Sequence, residues 1–326
     1  MDTTDFRTDA ELPLPWGSAC SCALHSRRLF GAALLAAGAA AALPARAQQP
    51  QPQAQPAENG VRGDVGTESR FTKLVPAEQV EQAAAQQYAQ MMRAAADQRA
   101  LAPDKHPQVL RLRAIAQHII PHAEPWNSRA KQWRWEVNLL GGKQINAFCM
   151  PGGKIAFYFG ILSQLQLNDD EVAAIMGHEV AHALREHARE RMGKTAATRI
   201  GASVLSAFLG LGGTGDALLN MGGQLLTLKF SREDESEADI VGMELAARAG
   251  YDPRAGVTLW QKMLAVGKNA PPQFMSTHPS GATRIQDIEA KLPKVAALYA
   301  SSDKPTRRFG PPPKTAATSA SAAVGG

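Results

Sequence analysis

The chain has 326 residues, of which 44% are hydrophobic and 20% charged, with a formal net charge of +5 at pH 7. With its polar ends set aside, this length is enough for one large domain that buries its own core. No repeat period appears along the chain, which excludes an appended array of helical repeats.

The first 47 residues have the pattern of a cleaved export signal. Arg27 and Arg28 precede an Ala-rich apolar run over 31–43, which is followed by Ala45-Arg46-Ala47. A basic region, a short apolar run and an A-x-A site are typical of a secretory signal peptide, and the run is too short to span a membrane. The Arg pair suggests a twin-arginine signal, with a general secretory signal as the alternative. These features predict removal of residues 1–47 and a periplasmic location.

Two low-complexity ends flank the predicted domain. Residues 48–66 are rich in Gln and Pro, and residues 304–326 are rich in Pro, Ala and Ser. Neither shows helical or strand periodicity, so we expect a disordered linker and a disordered tail. The domain between them, 67–303, is predicted to be α+β and mostly helical. Apolar spacing predicts helices at about 76–98, 106–120, 168–193, 232–249, 254–266 and 280–291, and strands at about 132–139, 144–149 and 154–159.

A predicted helix near the middle of the chain carries a metal-binding pattern. His178 and His182 are four residues apart in a helix-forming stretch. Their rings therefore lie about 40° apart around the helix axis and can bind one metal ion. Glu179 lies on the rim of that face, within reach of a metal-bound water. This His-Glu-x-x-His spacing is typical of zinc metallopeptidases with Glu179 as the general base.

A catalytic zinc requires a third protein ligand. The extended pattern with a third histidine shortly after the motif is absent from this chain. Further along, Glu235 and Asp239 share one face of a second predicted helix, so Glu235 is the candidate ligand. Asp239 is suited to accept the N–H of a ligand imidazole. Glu233 and Glu237 remain alternative ligands, because spacing alone does not separate them, and a solvated acidic helix start is the alternative for the whole run.

Several separated motifs resemble those of a known family. They are Gly-His-Glu-Val-Ala-His at 177–182, Ser-Arg-Glu-Asp-Glu-Ser-Glu-Ala-Asp at 231–239, Ser-Thr-His-Pro-Ser at 276–280 with Arg284, and the strand segment at 146–160. The chain resembles the gluzincin metallopeptidases in these motifs over about 72–293. More narrowly, it resembles the family of HtpX-like proteases, type-1 CAAX prenyl proteases, and Oma-type and BepA-like quality-control proteases.

The resemblance implies a gluzincin-type domain in which a small β-sheet lies beside the His-Glu-x-x-His helix. It implies one Zn²⁺ per chain with His178, His182 and Glu235 as ligands. It also implies that Glu179 acts as the base and later as the proton donor, and that Asp239 orients a ligand histidine.

Further roles follow from the same resemblance. His278 would either stabilise the developing oxyanion or cover the zinc in a resting form, and a plain loop histidine before a proline turn is the alternative. Arg284 would serve the same charge or hold His278 in place. Asn146, Ala147 and Phe148 would bind substrate by presenting a strand edge to an extended peptide. The alternative there is a core strand of a hairpin that turns at 151–153.

Together these features predict a zinc-dependent metalloendopeptidase that acts in envelope protein quality control on unfolded or misassembled envelope proteins. The alternative is a non-proteolytic periplasmic chaperone or assembly factor that retains a structural zinc site. Glu179 favours the enzyme, because a structural zinc site does not need a base. The Gly-rich apolar segment at 200–228 is interpreted as a helical hairpin or a lid next to the site, with peripheral membrane contact as a further prediction. No nucleic-acid partner is expected for an exported chain.

Overall fold

The structure is a computed structural model, and it describes residues 6–10, 60–198, 225, 228–267, 272–278 and 284–313. The export signal predicted from residues 27–47 lies outside the described residues, as does most of the Gly-rich segment at 200–228. Within the described part of the chain, none of the helices has the length and apolar character needed to cross a bilayer.

The described residues form an α+β fold that is mostly helical, which confirms the predicted fold class. The α-helices are α1 Ala77–Asp97, α2 Pro107–Ile119, α3 Phe159–Gln164, α4 Asp169–Leu184, α5 His187–Thr198, α6 Arg232–Arg248, α7 Ala255–Val266, α8 Gln273–Thr277 and α9 Arg284–Ser301. Short 3-10 helices lie at Arg62–Asp64, Arg70–Leu74, Ile120–His122 and Ser128–Gln132. The strands are β1 Glu136–Leu140, β2 Ala147–Met150 and β3 Lys154–Tyr158.

The three strands form one small sheet in the order β1-β3-β2. The central strand β3 is buried along its length and pairs in parallel with β1 and antiparallel with β2. The predicted turn at 151–153 is present, with Gly152 and Gly153 at φ of +82° and +77°, a region that glycine enters without strain. This hairpin leaves β2 at one edge of the sheet, packed beside α4.

The helix predicted at 168–193 is two helices in the structure, which corrects the prediction. A capping box starts α4: the side chains of Asn168 and Glu171 each accept the other residue's backbone N–H. The helix stops at Leu184, whose carbonyl accepts a 3.0 Å hydrogen bond from the side chain of Asn127. Glu186 then adopts a φ of +56°. This left-handed residue turns the chain, so α5 leaves in a new direction.

The helix predicted at 280–291 also differs from the structure. The described part, α9, begins at Arg284 and continues past Pro293 to Ser301. Ile288 and Val295 on this helix are buried in the core, which favours helix on both sides of the proline.

The chain segments that flank the domain make described contacts with it. The backbone N–H of Val61 donates to Glu244 Oε2 at 2.6 Å, and the Val61 side chain is buried. Near the other end, the Arg308 guanidinium pairs with Asp170 at 2.8 Å, and the N–H of Phe309 donates to Asp169. The disorder predicted for 48–66 and 304–326 therefore does not hold at 60–66 and 304–313. The rest of the predicted division into signal peptide, linker, metallopeptidase domain and tail stays a prediction.

Helices α4 and α6 approach each other closely where both carry a glycine. A Cβ added at Gly177 would lie 2.5 Å from the carbonyl oxygen of Gly242, and one added at Gly242 would lie 2.6 Å from the backbone nitrogen of His178. Such distances are shorter than any van der Waals contact, so the two backbones touch. No larger residue fits at either position without moving a helix.

We expect Gly177→Ala to lower the free energy of unfolding by about 1–3 kcal/mol, the usual cost of overpacking a core. The added methyl group would push α4 away from the backbone of α6. Urea denaturation measures the change. Gly256→Ala on α7 is the control, because its Cβ would meet only Ile288 Cγ2 at an ordinary 3.7 Å. Equal stability of the two variants would contradict the proposed close contact.

Candidate metal centre

Four side chains from separate parts of the chain converge in the buried interior. They are His178, His182, Glu235 and His278, and their potential ligand atoms all lie within 4.8 Å of one another. The two histidines project from α4, the glutamate from the first turn of α6, and His278 follows α8. The structure therefore brings together the two remote helices that the sequence pattern joins.

The geometry separates Glu235 from the other acidic residues of its helix. Its Oε2 lies 3.5 Å from His178 Nε2, and its Oε1 lies 3.4 Å from His182 Nε2. Glu233 is exposed, and Glu237 instead pairs with Arg185. Of the three candidates for the third ligand, Glu235 is the one that the structure places between the imidazoles.

Asp239 lies against the outer ring nitrogen of His178. Its Oδ1 lies 2.9 Å from His178 Nδ1, and the Arg284 guanidinium donates to both of its carboxylate oxygens at 2.7 and 2.8 Å. Burial alone would raise the pKa of Asp239, but the charges of Arg284 and His178 outweigh burial and lower it. Asp239 is therefore an acceptor, and the Nδ1 of His178 carries the proton.

The resulting donor set fits a divalent metal such as zinc. With its proton on Nδ1, His178 directs the lone pair of Nε2 toward Glu235 and toward His182 Nε2, which lies 3.1 Å away. Burial holds the pKa of His182 well below its ordinary value. For Glu235, burial opposes ionisation, but the interactions with His278 and His182 outweigh it and lower its pKa. Neutral imidazoles and a carboxylate are the donors that zinc binds in catalytic sites.

Glu179 lies beside this donor set with one oxygen atom unsatisfied. Among the described residues, its buried Oε1 has no hydrogen-bond partner, and His278 Nε2 is 3.4 Å away. Burial raises the pKa of Glu179, against the opposing charges of His278 and His178. A buried carboxylate oxygen aimed at the site has the placement and the basicity that a general base requires.

His278 lies within the candidate ligand set. Its Nδ1 lies 3.0 Å from Glu235 Oε1 and 3.3 Å from His178 Nε2, and its ring stacks on Phe274 with a centroid distance of 4.5 Å. Burial disfavours the charged form of His278, but the charges of Glu179 and Glu235 outweigh burial and raise its pKa. The ring therefore has more contacts than a plain loop histidine.

Arg284 supports the acidic residues of the site. Its Nη1 donates to Glu235 Oε2 at 2.7 Å, and the guanidinium lies over the Trp260 ring at 3.7 Å. Since the same guanidinium also binds Asp239, it connects the candidate ligand to the residue that orients His178.

The candidate substrate strand β2 lies beside α4. It is a strand of the hairpin and also lies at the edge of the sheet, the two possibilities that the sequence leaves open. Ala147 and Phe148 pair with β3 in the hairpin, and β2 is also an edge strand. The side-chain oxygen of Asn146, just before β2, is buried without a hydrogen-bond partner in the described part of the chain. Substrate binding at this edge stays a prediction.

Two contacts of His182 were not predicted from the sequence. Its Nδ1 lies 2.8 Å from Nδ1 of His187, and its ring stacks on Phe230 at a centroid distance of 4.0 Å. A histidine five residues after His182 is visible in the sequence. If α4 continued through this residue, His187 would point away from the His-Glu-x-x-His motif. The turn of the backbone before α5 brings it back to His182.

The fold and the site together define a gluzincin-type metallopeptidase domain. The model of Peptidase family M48 matches residues 107–292, more than half of the chain. The chain therefore belongs to peptidase family M48, which confirms the family resemblance.

Several relatives in this family have names that describe proteases. The mitochondrial metalloendopeptidase OMA1 of Schizosaccharomyces pombe is 36% identical over 206 residues, which cover 62% of this chain and 58% of that protein. OMA1 of Arabidopsis thaliana is 41% identical over 150 residues, covering 46% and 30%. The beta-barrel assembly-enhancing protease of Escherichia coli is 25% identical over 176 residues, covering 51% and 36%. The chain spans 30% to 58% of the length of these relatives.

These relatives contradict the predicted periplasmic location. Both OMA1 proteins are named as mitochondrial, and they match this chain at higher identity than the Escherichia coli protease does. The periplasmic assignment is therefore wrong. It depended on the amino-terminal pattern, in which basic residues precede a short apolar run, and that pattern alone does not define one compartment.

We expect Glu235→Ala to lower zinc affinity by more than the roughly 10- to 100-fold that loss of an outer partner costs. The substitution removes the carboxylate that lies between His178 and His182. Competition with a chromophoric chelator measures the affinity. Glu233→Ala is the matched control, an exposed glutamate on the same helical turn. Equal loss in both variants would show that Glu235 is not a ligand.

Proposed function

We propose that this chain is a zinc-dependent metalloendopeptidase that cleaves unfolded or misassembled proteins in protein quality control. The observation that carries the proposal is the convergence of His178, His182 and Glu235 beside the unsatisfied carboxylate oxygen of Glu179. A purely structural zinc site does not need such a base. Membership of peptidase family M48 and the protease names of the relatives support the same reaction.

Each residue of the site has a defined task in this reaction. A bound zinc ion supplies the Lewis acidity that activates water near neutral pH. Glu179 accepts the proton of the attacking water and then delivers it to the leaving amine. Its buried position keeps its pKa raised, which helps it to hold the proton between the two steps. Asp239 keeps His178 in the tautomer whose Nε2 faces the site.

We propose that His278 would cover a metal ion held by His178, His182 and Glu235. A catalytic zinc uses three protein ligands and keeps one position for water or substrate. His278 lies within the ligand set as a fourth donor, so it would close that position. The histidine must then move before a peptide carbonyl can approach.

An extended peptide is the substrate shape that the fold suits best. Strand β2 pairs with β3 on one side and ends the three-stranded sheet of the described residues, so its other side would add a substrate strand through main-chain hydrogen bonds. Ala147 and Phe148 would then face the substrate backbone, with Asn146 at the start of the strand. Only unfolded or loop segments can pair in this way. The name of the Escherichia coli relative, which refers to beta-barrel assembly, supports misassembled proteins as substrates. Peripheral membrane contact through 200–228 stays a prediction.

We expect Glu179→Gln to lower the rate of casein cleavage by about 10²- to 10⁴-fold, the usual contribution of a general base. Zinc content should remain that of the wild type, because Glu179 is not a ligand. A fluorescent casein assay with metal analysis of both proteins measures the two quantities. Equal cleavage by both proteins would contradict the proposal. Absence of cleavage by either, with full biological rescue by the variant, would favour the non-proteolytic chaperone.

We expect His278→Ala to increase the cleavage of unfolded casein, because the side chain that closes the metal site is removed. Initial rates at equal zinc loading measure the effect. His118→Ala is the control, a histidine on α2 that contacts Tyr251 away from the site. A loss of activity in His278→Ala would instead assign the histidine to oxyanion stabilisation.

A further inference from the structure

We infer that His187 is a positioning residue: it fixes the ring of His182 so that the Nε2 atom of His182 faces the candidate metal site. His187 is itself held by Glu237, which pairs with Arg185. This inference rests on the proposed function of the site. It concerns a side chain outside the set of candidate ligands.

The hydrogen bonds form a chain that starts behind the second ligand histidine. His187 is the first residue of α5 and is only 1% exposed. Its Nδ1 lies 2.8 Å from His182 Nδ1, and its Nε2 lies 3.3 Å from Glu237 Oε2. The other oxygen of Glu237 accepts a 2.5 Å hydrogen bond from Arg185. This series of hydrogen bonds therefore ends at the guanidinium cation of Arg185.

The acceptor at the outer end decides where the protons lie. A carboxylate bound to a guanidinium accepts hydrogen bonds, so the Nε2 of His187 carries the proton directed at Glu237. The Nδ1 of His187 is then left to accept, and the proton between the two rings belongs to His182 Nδ1. His182 is left with its lone pair on Nε2, the atom that lies 3.4 Å from Glu235. The opposite arrangement would place the lone pair of His187 Nε2 against a carboxylate.

Each of the two candidate ligand histidines is thus hydrogen-bonded to a carboxylate on its outer side, one directly and the other through a second imidazole. His178 donates directly to Asp239, whereas His182 reaches Glu237 through His187. Such outer partners fix the tautomer and the ring orientation of metal ligands. His187 is not itself a candidate ligand, because it contacts the nitrogen of His182 that faces away from the metal.

The chain turn between α4 and α5 is what makes this contact. Residues five apart on a continuous helix lie about 140° apart around the axis, so their rings cannot meet. Glu186, at a φ of +56°, ends that periodicity and turns His187 back toward His182. Glu186 also pairs with Arg189 one turn into α5, which helps to hold a conformation that is unfavourable for a residue with a Cβ.

The first test compares zinc affinity in three variants of the full chain. We expect His187→Leu to lower the affinity by about 10- to 100-fold. His187→Asn should recover most of it, because an amide can accept from His182 and donate to Glu237. Met192→Ala, a buried residue of the same helix, should lower stability and leave the affinity unchanged. A wild-type affinity in His187→Leu, or an equal loss in Met192→Ala, would overturn the inference.

The second test observes the protons in the zinc-loaded wild-type protein. Long-range ¹H–¹⁵N correlation spectra of the imidazoles should show His187 protonated at Nε2 and His182 protonated at Nδ1. A proton on His187 Nδ1 would overturn the inference even if no substitution at this position folds. Neither readout requires proteolysis, so a protein that binds zinc without cleaving casein would refute the proposed function alone.

Discussion

The backbone contact between α4 and α6 is the constraint on which the site depends. Gly177 and Gly242 leave no room for a side chain between the two helices. At this short separation, the residues on the facing sides of α4 and α6 are within hydrogen-bonding range. His178 therefore meets Asp239, and Glu235 reaches both candidate ligand histidines. Capping boxes at Asn168 and Ser231 set where each helix begins.

The same contact buries an unusual amount of negative charge. Glu179 and Glu235 are buried near the imidazoles, and Asp239 is partly buried beside them. Buried charges are costly unless they are paired and hydrogen-bonded. Arg284 compensates two of these carboxylates through its three donor nitrogens. The geometry of the remaining donors suits a divalent cation. Binding of a metal ion here would therefore be coupled to the stability of this part of the core.

Much of the fold follows from local sequence features. The capped start of α4, the glycine turn between β2 and β3, and the positions of α1, α2, α6 and α7 agree with apolar spacing and cap residues. The end of α4 does not follow from such features, because nothing between 185 and 193 interrupts the helical pattern. The Asn127 side chain, distant in sequence, binds the last carbonyl of α4, and Glu186 takes the left-handed turn.

The candidate metal site likewise has features that the sequence alone predicts and features that only the tertiary structure decides. Sequence alone determined that His178 and His182 share a helix face with Glu179 at its rim, because the helical period relates residues within one turn. Tertiary structure decided which of three glutamates lies between the imidazoles, since that choice depends on how α6 is rotated against α4. It also decided that His278 lies among the candidate ligands and that His187 contacts His182. Both contacts require chain reversals that no periodicity encodes, and their geometry follows from how distant segments pack.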